Sequence, residues 1–347
     1  MCHWRDGRQR LSYVETLGLP SKNALNHIGG GLKYFITGCA GFIGSNLTDR
    51  LLQQGHEVVG FDNFSTGLAE FLTTAKQSPH FTLITGDLLD KELVEKSMRS
   101  CNAVMHLAAN ADVRFGTHHP HKDLEQNTIA TFHVLEAMRA NHIQRIAFAS
   151  TGSIYGEATI IPTPEEAPFP VQTSLYGASK LAAEGLIQAY CEGFNFQAYI
   201  FRFVSILGER YTHGHVFDFY KQILNDPNKL YVLGNGKQRK SYLYIQDCLD
   251  AILWAMEKVH NKVNIFNLGT DEYCEVNHSI NWICQHLGVA PEKTYEGSER
   301  GWIGDNPFIF LDCSNIRKLG WTPKYRIQQG IIRTVDFLRN NHWILER

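Results

Sequence analysis

The stretch from Lys33 to Thr66 constrains this chain more than any other. Lys33-Tyr34-Phe35-Ile36-Thr37 is short, apolar and partly β-branched, the composition of a buried strand. Gly38-Cys39-Ala40-Gly41-Phe42-Ile43-Gly44 follows, after which Ile43, Leu47 and Leu51 recur at helical spacing. Glu57-Val58-Val59-Gly60-Phe61 reads as a second strand and ends at Asp62. Strand, glycine turn, helix, strand and carboxylate is the order of a dinucleotide-binding unit. One glycine permits the tight turn, one lets backbone N–H groups approach a pyrophosphate, and one lets helix and sheet pack closely. The helix N-terminus then presents its partial positive charge to the phosphates. The glycine spacing, G-x-x-G-x-x-G, departs from the common G-x-G-x-x-G, so the context carries the weight. Asp62 lies 18 residues beyond Gly44, near the position of the carboxylate that binds the adenosine ribose hydroxyls. That carboxylate would repel a 2′-phosphate, and Asn63-Phe64-Ser65-Thr66-Gly67 brings no Arg or Lys. The expected cofactor is NAD, not NADP.

The alternation continues. Phe81–Thr85 reads as a strand delivering Gly86-Asp87, and Ala103–Leu107 as another, running into the small residues Ala108-Ala109 before Asn110. Residues 123–140 have helical spacing, Arg145–Ala149 is a strand ending in Ser150-Thr151-Gly152-Ser153, residues 176–192 look helical, and Gln197–Phe201 is one more strand. Strands alternating with helices predict an α/β fold, a doubly wound parallel sheet (Rossmann) covered on both faces. Ligands in such sheets sit at the carboxyl ends of the strands, where Gly38, Asp62, Asp87, Ala108 and Thr151 fall. From about residue 205 the pattern loosens into turns, helical stretches at 246–259, 276–287 and 328–340, and a strand at Asn264–Leu268. Three segments are therefore expected: an N-terminal extension over 1–31, an NAD-binding domain over 32–204, and a smaller C-terminal α/β substrate-binding lobe over 205–347. The extension carries Arg5, Arg8 and Arg10 without the apolar core of a signal peptide, and Gly29-Gly30-Gly31 makes a flexible joint.

A chain of 347 residues can bury a large core, and 44% hydrophobic with 20% charged residues describes a globular protein. The formal net charge of −2 gives no general pull towards nucleic acid or an anionic membrane. No apolar run approaches the length of a membrane span. Eight scattered cysteines without a C-x-x-C pair fit the reduced thiols of the cytoplasm. Histidines 118, 119, 121, 213 and 215 show no ligand pattern, so loop or surface positions are expected and no metal site.

A second constellation is Tyr176-Gly177-Ala178-Ser179-Lys180. On a helix Tyr176 and Lys180 share a face. A phenol with pKa near 10 is a poor base at neutral pH. A nearby ammonium, helped by a positive nicotinamide ring, would stabilise the phenolate and suit Tyr176 to general acid/base work. Thr151 would hydrogen-bond the same substrate hydroxyl. An isolated Y-x-x-x-K is more often a surface pair; behind an intact nucleotide-binding half the chemical reading is preferred.

Together, Gly38–Gly44, Asp62–Gly67, Gly86-Asp87, His106-Leu107-Ala108-Ala109, Ser153-Ile154-Tyr155-Gly156 and Tyr176–Lys180 resemble the extended short-chain dehydrogenase/reductases. More narrowly, they resemble the NAD-dependent nucleotide-sugar epimerase/dehydratase family, of the UDP-glucose 4-epimerase kind, over residues 32–340. The resemblance implies that Gly38, Gly41, Phe42, Ile43, Gly44, Asp62, Asn63, Ser65, Thr66, Gly67, Asp87, Leu88, Leu107, Ala108, Ala109 and Asn127 surround the cofactor, Asp87 by the adenine. It implies that Lys180 holds the nicotinamide ribose as well as tuning Tyr176, and that subunits pair through helices 123–140 and 176–192.

The second half resembles the family's substrate segments. An Asn that touches the nucleotide's phosphate usually stands where Ser205 does, in Arg202–Gly208. Gly234–Tyr242 resembles the loop carrying a diphosphate-binding Arg; the register puts Lys240 there, with Arg239 adjacent, and Lys binds phosphate as a point charge, not a planar fork. Asp247 is expected as a carboxylate at a helix N-terminus. Arg300, in Arg300–Pro307, resembles the last phosphate-binding Arg. The implied activity is C4 epimerisation of a nucleoside-diphosphate hexose, with Thr151, Tyr176 and Lys180 catalytic and Ser153, Ser205, Arg239, Lys240 and Arg300 on the substrate. Rival readings are a 4,6-dehydratase, a decarboxylase, or a non-catalytic NAD sensor on the same fold. The family's dehydratases place Asp-Glu directly after the active-site Thr, and its decarboxylases tend to carry Glu where Ser153 stands; here Gly152 and Ser153 follow Thr151.

Overall fold

The computed structural model describes residues 31–110, 113–169, 171–300, 306 and 308–346. Of the expected extension over 1–31, all but Gly31 lies outside them.

Lys33–Thr37 (β1), Phe42–Gln53 (α1), Glu57–Asp62 (β2), Phe81–Thr85 (β3), Lys91–Ser97 (α2) and Ala103–His106 (β4) follow one another. Val113–His118 (α3), Pro120–Asp123 (α4), a π-helical turn at Leu124–Ile129 and Ala130–Ala140 (α5) come next. Arg145–Thr151 (β5), Leu175–Phe194 (α6) and Gln197–Phe203 (β6) complete the first half. Ser205–Leu207 (β7), His215–Asn225 (α7), Lys229–Val232 (β8), Arg239–Lys240 (β9), Tyr242–Tyr244 (β10), Ile245–Lys258 (α8) and Val263–Leu268 (β11) open the second. Cys274–Glu275 (β12), Val276–Leu287 (α9), Glu292–Tyr295 (β13), Phe308–Ile309 (β14), Ser314–Lys318 (α10) and Ile327–Asn340 (α11) end it.

The main sheet is parallel throughout, in the order β11-β6-β5-β4-β1-β2-β3. Alternate residues of each strand enter opposite layers, as the two-residue period of a strand requires. Tyr34 and Ile36 of β1 join Leu47 and Leu51 of α1 and Leu249 and Ile252 of α8. Phe35, between them, joins Val134 and Leu135 of α5 and Ile187 of α6 on the other face. A third core, with Phe217 and Tyr220 of α7, Ile280 and Ile283 of α9 and Ile331 and Val335 of α11, holds the second half together.

Two features differ from the sequence reading. Val263–Leu268 pairs in parallel with β6 as the seventh strand of the main sheet, although the sequence pattern places this strand in the loosened second half. Without it, β6 would present an unpaired edge. The helix expected over 123–140 is broken into α4, a π turn and α5, with buried Asn127 inside the turn. The described cysteines are all buried and unpaired, and no described helix is long and apolar enough to cross a membrane.

Candidate active site

Strand order reverses between β1 and β4, and the crevice at their carboxyl ends is where such sheets bind ligands. A cavity of about 670 Å³ opens there. It runs from Asp62 and the glycine turn, past Thr151 and Tyr176, to Ser205 and Lys240.

The glycine turn is built by close approach. Gly38 has φ +70° and donates its N–H to the Phe61 carbonyl at 2.8 Å. A Cβ there would lie 2.9 Å from the Ala108 Cα. A Cβ on Gly44 would lie 2.0 Å from the Gly38 carbonyl oxygen, so only glycine lets α1 begin against the turn. Gly41, Phe42, Ile43 and Gly44 line the cavity where α1 starts.

Asp62, buried at the end of β2, accepts from the Ala40 and Phe64 N–H groups, each at 2.8 Å. Burial raises its pKa, opposed by these two hydrogen bonds. Asn63, Ser65, Thr66, Gly67 and Leu88 line the same end, whereas Asp87 stands behind it. Asp87 accepts from Asn63 Nδ2 and the Leu89 N–H at 2.9 Å each. Burial would raise the Asp87 pKa, but these bonds and one from Gln126 outweigh it, and the net shift is downward.

Leu107, Ala108 and Ala109 form the middle wall. Thr37 Oγ1 accepts from the Leu107 and Ala108 N–H groups, both at 3.1 Å, and pairs with His106 Nδ1 at 2.8 Å. On its other side His106 Nε2 pairs with Thr131 Oγ1 at 2.9 Å, and Thr131 donates to the Asn127 carbonyl at 2.6 Å. These partners assign the proton to Nε2 of a neutral imidazole, since Thr131 has already given its own. Burial, with Lys180 nearby, brings the His106 pKa down to about 3. Nothing local in the sequence marks His106 for this role.

Asn127 does not line the cavity; it braces it. Its Oδ1 accepts from the Asn110 N–H and its Nδ2 donates to Ser179 Oγ, both at 2.9 Å, while Ser179 Oγ donates to the Tyr176 carbonyl at 2.9 Å. The π turn brings the Asn127 amide to the Tyr176 helix, a use of π turns that recurs at functional sites.

α6 starts at Ser174, whose side chain accepts from the Gly177 N–H, a cap that places Tyr176 in the first turn. Tyr176 is half-buried on the cavity wall beside Thr151. Burial pushes its pKa up to about 12; Thr151 lowers it and Asp123 adds to the rise. Lys180 is buried, donates from Nζ to the Ala149 carbonyl at 2.9 Å and lies 4.6 Å from the Phe148 ring centre. Burial brings its pKa down to about 7, with Glu184 opposing. The lowered phenol expected from the sequence is therefore not produced by the protein groups alone. Lys180 engages the strand end that carries Thr151.

At the far end Ser153 and Ser205 line the cavity with Thr151, and Thr151 Oγ1 donates to Ser153 Oγ at 3.2 Å. Lys240 also lines it, with Nζ hydrogen-bonded to the Asn306 carbonyl. The other two expected cations go elsewhere. Arg239 projects from the opposite side of β9, and its guanidinium lies 3.8 Å from the Phe308 ring centre. Side chains of adjacent strand residues face opposite ways, so only one of the pair can reach the cavity. Arg300 pairs with Glu157 outside the cavity wall, and the rest of its motif, residues 301–305 and 307, falls outside the described residues. Asp247, in the first turn of α8, accepts from the Lys324 and Tyr325 N–H groups, 3.0 Å each, and so ties a loop to its helix.

Tyr211, His213, Phe217 and Ile344 also line the cavity and had no sequence signal. Ile344 arrives because Trp343 packs on Phe71, ring centres 5.9 Å apart. The expectation of loop or surface histidines holds only in part at His215, which is half-buried in the first turn of α7 with Nε2 2.7 Å from Ser279 Oγ and a pKa brought down to about 3 by desolvation and Lys240. Among the described residues no group of three or more His, Cys, Asp or Glu converges to hold a metal ion.

A doubly wound parallel sheet with a glycine turn at its switch point, a buried carboxylate at the end of the second strand and a wall of small residues defines a dinucleotide-binding class of protein. Residues 34–269 match the NAD dependent epimerase/dehydratase family, and the chain belongs to it. Its cofactor is NAD, and the Gly38–Gly44 cradle and Asp62 fit that group. The chain is 31% identical to a putative UDP-glucose 4-epimerase of Methanocaldococcus jannaschii, over 88% of this chain and 98% of that protein. It is 29% identical to UDP-glucuronic acid decarboxylase 1 of Arabidopsis thaliana, over 95% of this chain and 78% of that protein. A crystal structure of a UDP-galactose 4-epimerase superposes with a TM-score of 0.81 at 34% identity, covering 90% of this chain and all of that one.

Proposed function

We propose that this protein is a nucleotide-sugar 4-epimerase, acting on a nucleoside-diphosphate hexose through a 4-keto sugar. The observation that carries the reading is the placement of Tyr176 and Thr151 together on the wall of one cavity that joins the Asp62 end to Lys240. Residues 32–204 would hold the cofactor, with Asp62 on the adenosine ribose, and residues 205–347 would mainly hold the nucleotide sugar. Lys240 would meet the diphosphate, and Ser153 and Ser205 the sugar. NAD, when bound, takes up and returns the hydride at the sugar carbon and adds positive charge beside Tyr176. Thr151 orients the 4-hydroxyl and Tyr176 accepts its proton; once the keto-sugar has turned over in the pocket, so that C4 offers its other face for hydride return, Tyr176 gives the proton back to the same oxygen. Lys180, whose buried Nζ is anchored on β5, stabilises the phenolate.

Gly152 and Ser153, directly after Thr151, offer neither a base for a C5 proton nor an acid for a leaving C6 hydroxyl, which argues against dehydration. Leu124, Ile129, Phe132 and Phe194 leave large apolar side chains exposed on the helices expected to pair subunits, which supports a homodimer. A cytoplasmic setting goes with the unpaired cysteines.

The test is incubation with a panel of nucleotide sugars in deuterated water, read by proton NMR. An epimer without deuterium at C5 is expected. A 6-deoxy-4-keto product, or a pentose with released carbon dioxide, would overturn the reading.

A further inference from the structure

A second set of charges lies buried behind the proton-transfer pair. Tyr176, Lys180 and Glu184 stand four apart along one face of α6. Glu184 is fully buried, and so, nearly, is Arg202 of β6. Arg202 donates to both carboxylate oxygens, from Nε at 3.1 Å to Oε1 and from Nη2 at 2.7 Å to Oε2. Its remaining nitrogen, Nη1, donates to Tyr155 OH at 2.7 Å and to the Glu165 carbonyl at 2.8 Å. Glu184 Oε1 also accepts from Ser150 Oγ. Ser150 stands between Ala149, whose carbonyl holds Lys180 Nζ, and Thr151, which shares the cavity wall with Tyr176.

We propose that Glu184 is a positioning residue for the proton-transfer pair, setting the end of β5 through Ser150 and sustaining the Lys180 ammonium with its charge. The proposal rests on the reading of Tyr176 as the acid/base. One carboxylate thus meets three demands. It neutralises the buried Arg202, fixes the strand segment that supplies both Thr151 and the Lys180 acceptor, and lies one helical turn from Lys180. The fixed geometry matters because misplacing a reacting group by about 1 Å can cost ~10²-fold in rate. The charge matters because desolvation disfavours the ammonium, and Glu184 opposes that effect. The titratable and charged groups facing Lys180 are Tyr176 and Glu184 on α6, His106 on β4 and, beyond Glu184, Arg202 on β6; Asp123 on α4 faces Tyr176.

Two substitutions separate charge from geometry. Glu184→Gln keeps an oxygen for Ser150 and Arg202 but removes the charge. Ser150→Ala keeps the ion pair and removes the tie to β5. The Lys180 titration is followed by NMR of ¹³C-labelled lysine, which needs no turnover, alongside the pH profile of kcat, melting temperature and NAD content. Glu184→Gln is expected to move the Lys180 titration and the alkaline limb of kcat to lower pH. Ser150→Ala is expected to lower kcat by on the order of tenfold with the titration unmoved. A Lys180 titration unchanged or raised in Glu184→Gln overturns the proposal, even if that variant melts earlier, because a merely structural role would do only the latter. If Glu184→Gln does not fold, Ser150→Ala decides: a several-fold fall in kcat supports the proposal and an unchanged kcat overturns it. A silent unmodified enzyme on every nucleotide sugar would instead refute the proposed reaction, leaving the Lys180 titration to report on Glu184.

Discussion

Gly44→Ala probes the cofactor cradle with a single methyl group. A Cβ at this position would lie 2.0 Å from the Gly38 carbonyl oxygen, 2.8 Å from its carbon and 3.0 Å from the Cys39 Cα. All three are backbone atoms of the turn, so no side chain can swing aside. The same carbonyl oxygen is 3.2 Å from a Cβ built on Gly41, a contact that needs little adjustment. Opening the first distance to the second moves the start of α1 from the turn by about 1.2 Å, an overpacking strain typically worth about 1–3 kcal/mol. The same movement takes the helix N-terminal N–H groups out of register with a pyrophosphate. If the strain falls on the bound state, NAD affinity drops roughly 5- to 150-fold. Titration calorimetry of NAD into cofactor-free protein, with thermal melting beside it, reads both consequences. Gly41→Ala is the control for the strain: its φ of −77° suits alanine and its Cβ meets the turn only at 3.2 Å, so a much smaller fall in melting temperature is expected. A Gly44→Ala protein that binds NAD as tightly as the unmodified one, or a larger fall in melting temperature in Gly41→Ala, would refute this account of the turn.

Tyr176→Phe removes only the proton-transfer oxygen and is expected to lower turnover ~10²–10⁴-fold with NAD content retained; near-normal activity would move the proton transfer to another residue. Lys240→Ala is expected to raise KM for the nucleotide sugar by roughly one to two decades, the worth of a charged hydrogen bond of about 1.5–3 kcal/mol. Arg239→Ala, which loses a cation–π contact outside the cavity, should leave KM unchanged; equal effects on KM would contradict the side-chain directions on β9. His106 and His215 are held neutral by burial, each brought down to about 3 from 6.5. The unfolded chain therefore binds the extra protons between those values, and stability should fall as pH drops below 6.5, at about 1.4 kcal/mol per pH unit for each histidine fully protonated on unfolding. Urea midpoints at pH 7.5 and 5.5 check this, and a flat response would show that the two rings are charged in the folded protein.

What the sequence carried by itself was local. Apolar alternation and helical spacing are short-range properties of the backbone, so the strands from β1 to β6 and helices α1 and α6 could be read directly. The glycine turn, Asp62 at the end of β2 and the four-residue step from Tyr176 to Lys180 belong to the same kind of information. Tertiary structure decided where charges and polar groups end up, because that depends on residues far apart in the chain. His106 is set by Thr37, 69 residues away, and Glu184 by Arg202 on a neighbouring strand. Lys240 and Arg239 are adjacent in sequence, yet the pleat of β9 sends only Lys240 into the cavity. Val263–Leu268 joined the main sheet because the β6 edge needed hydrogen-bond partners. Such pairings are chosen by burial and by the cost of leaving a polar group without a partner, and neither quantity exists until the chain has folded.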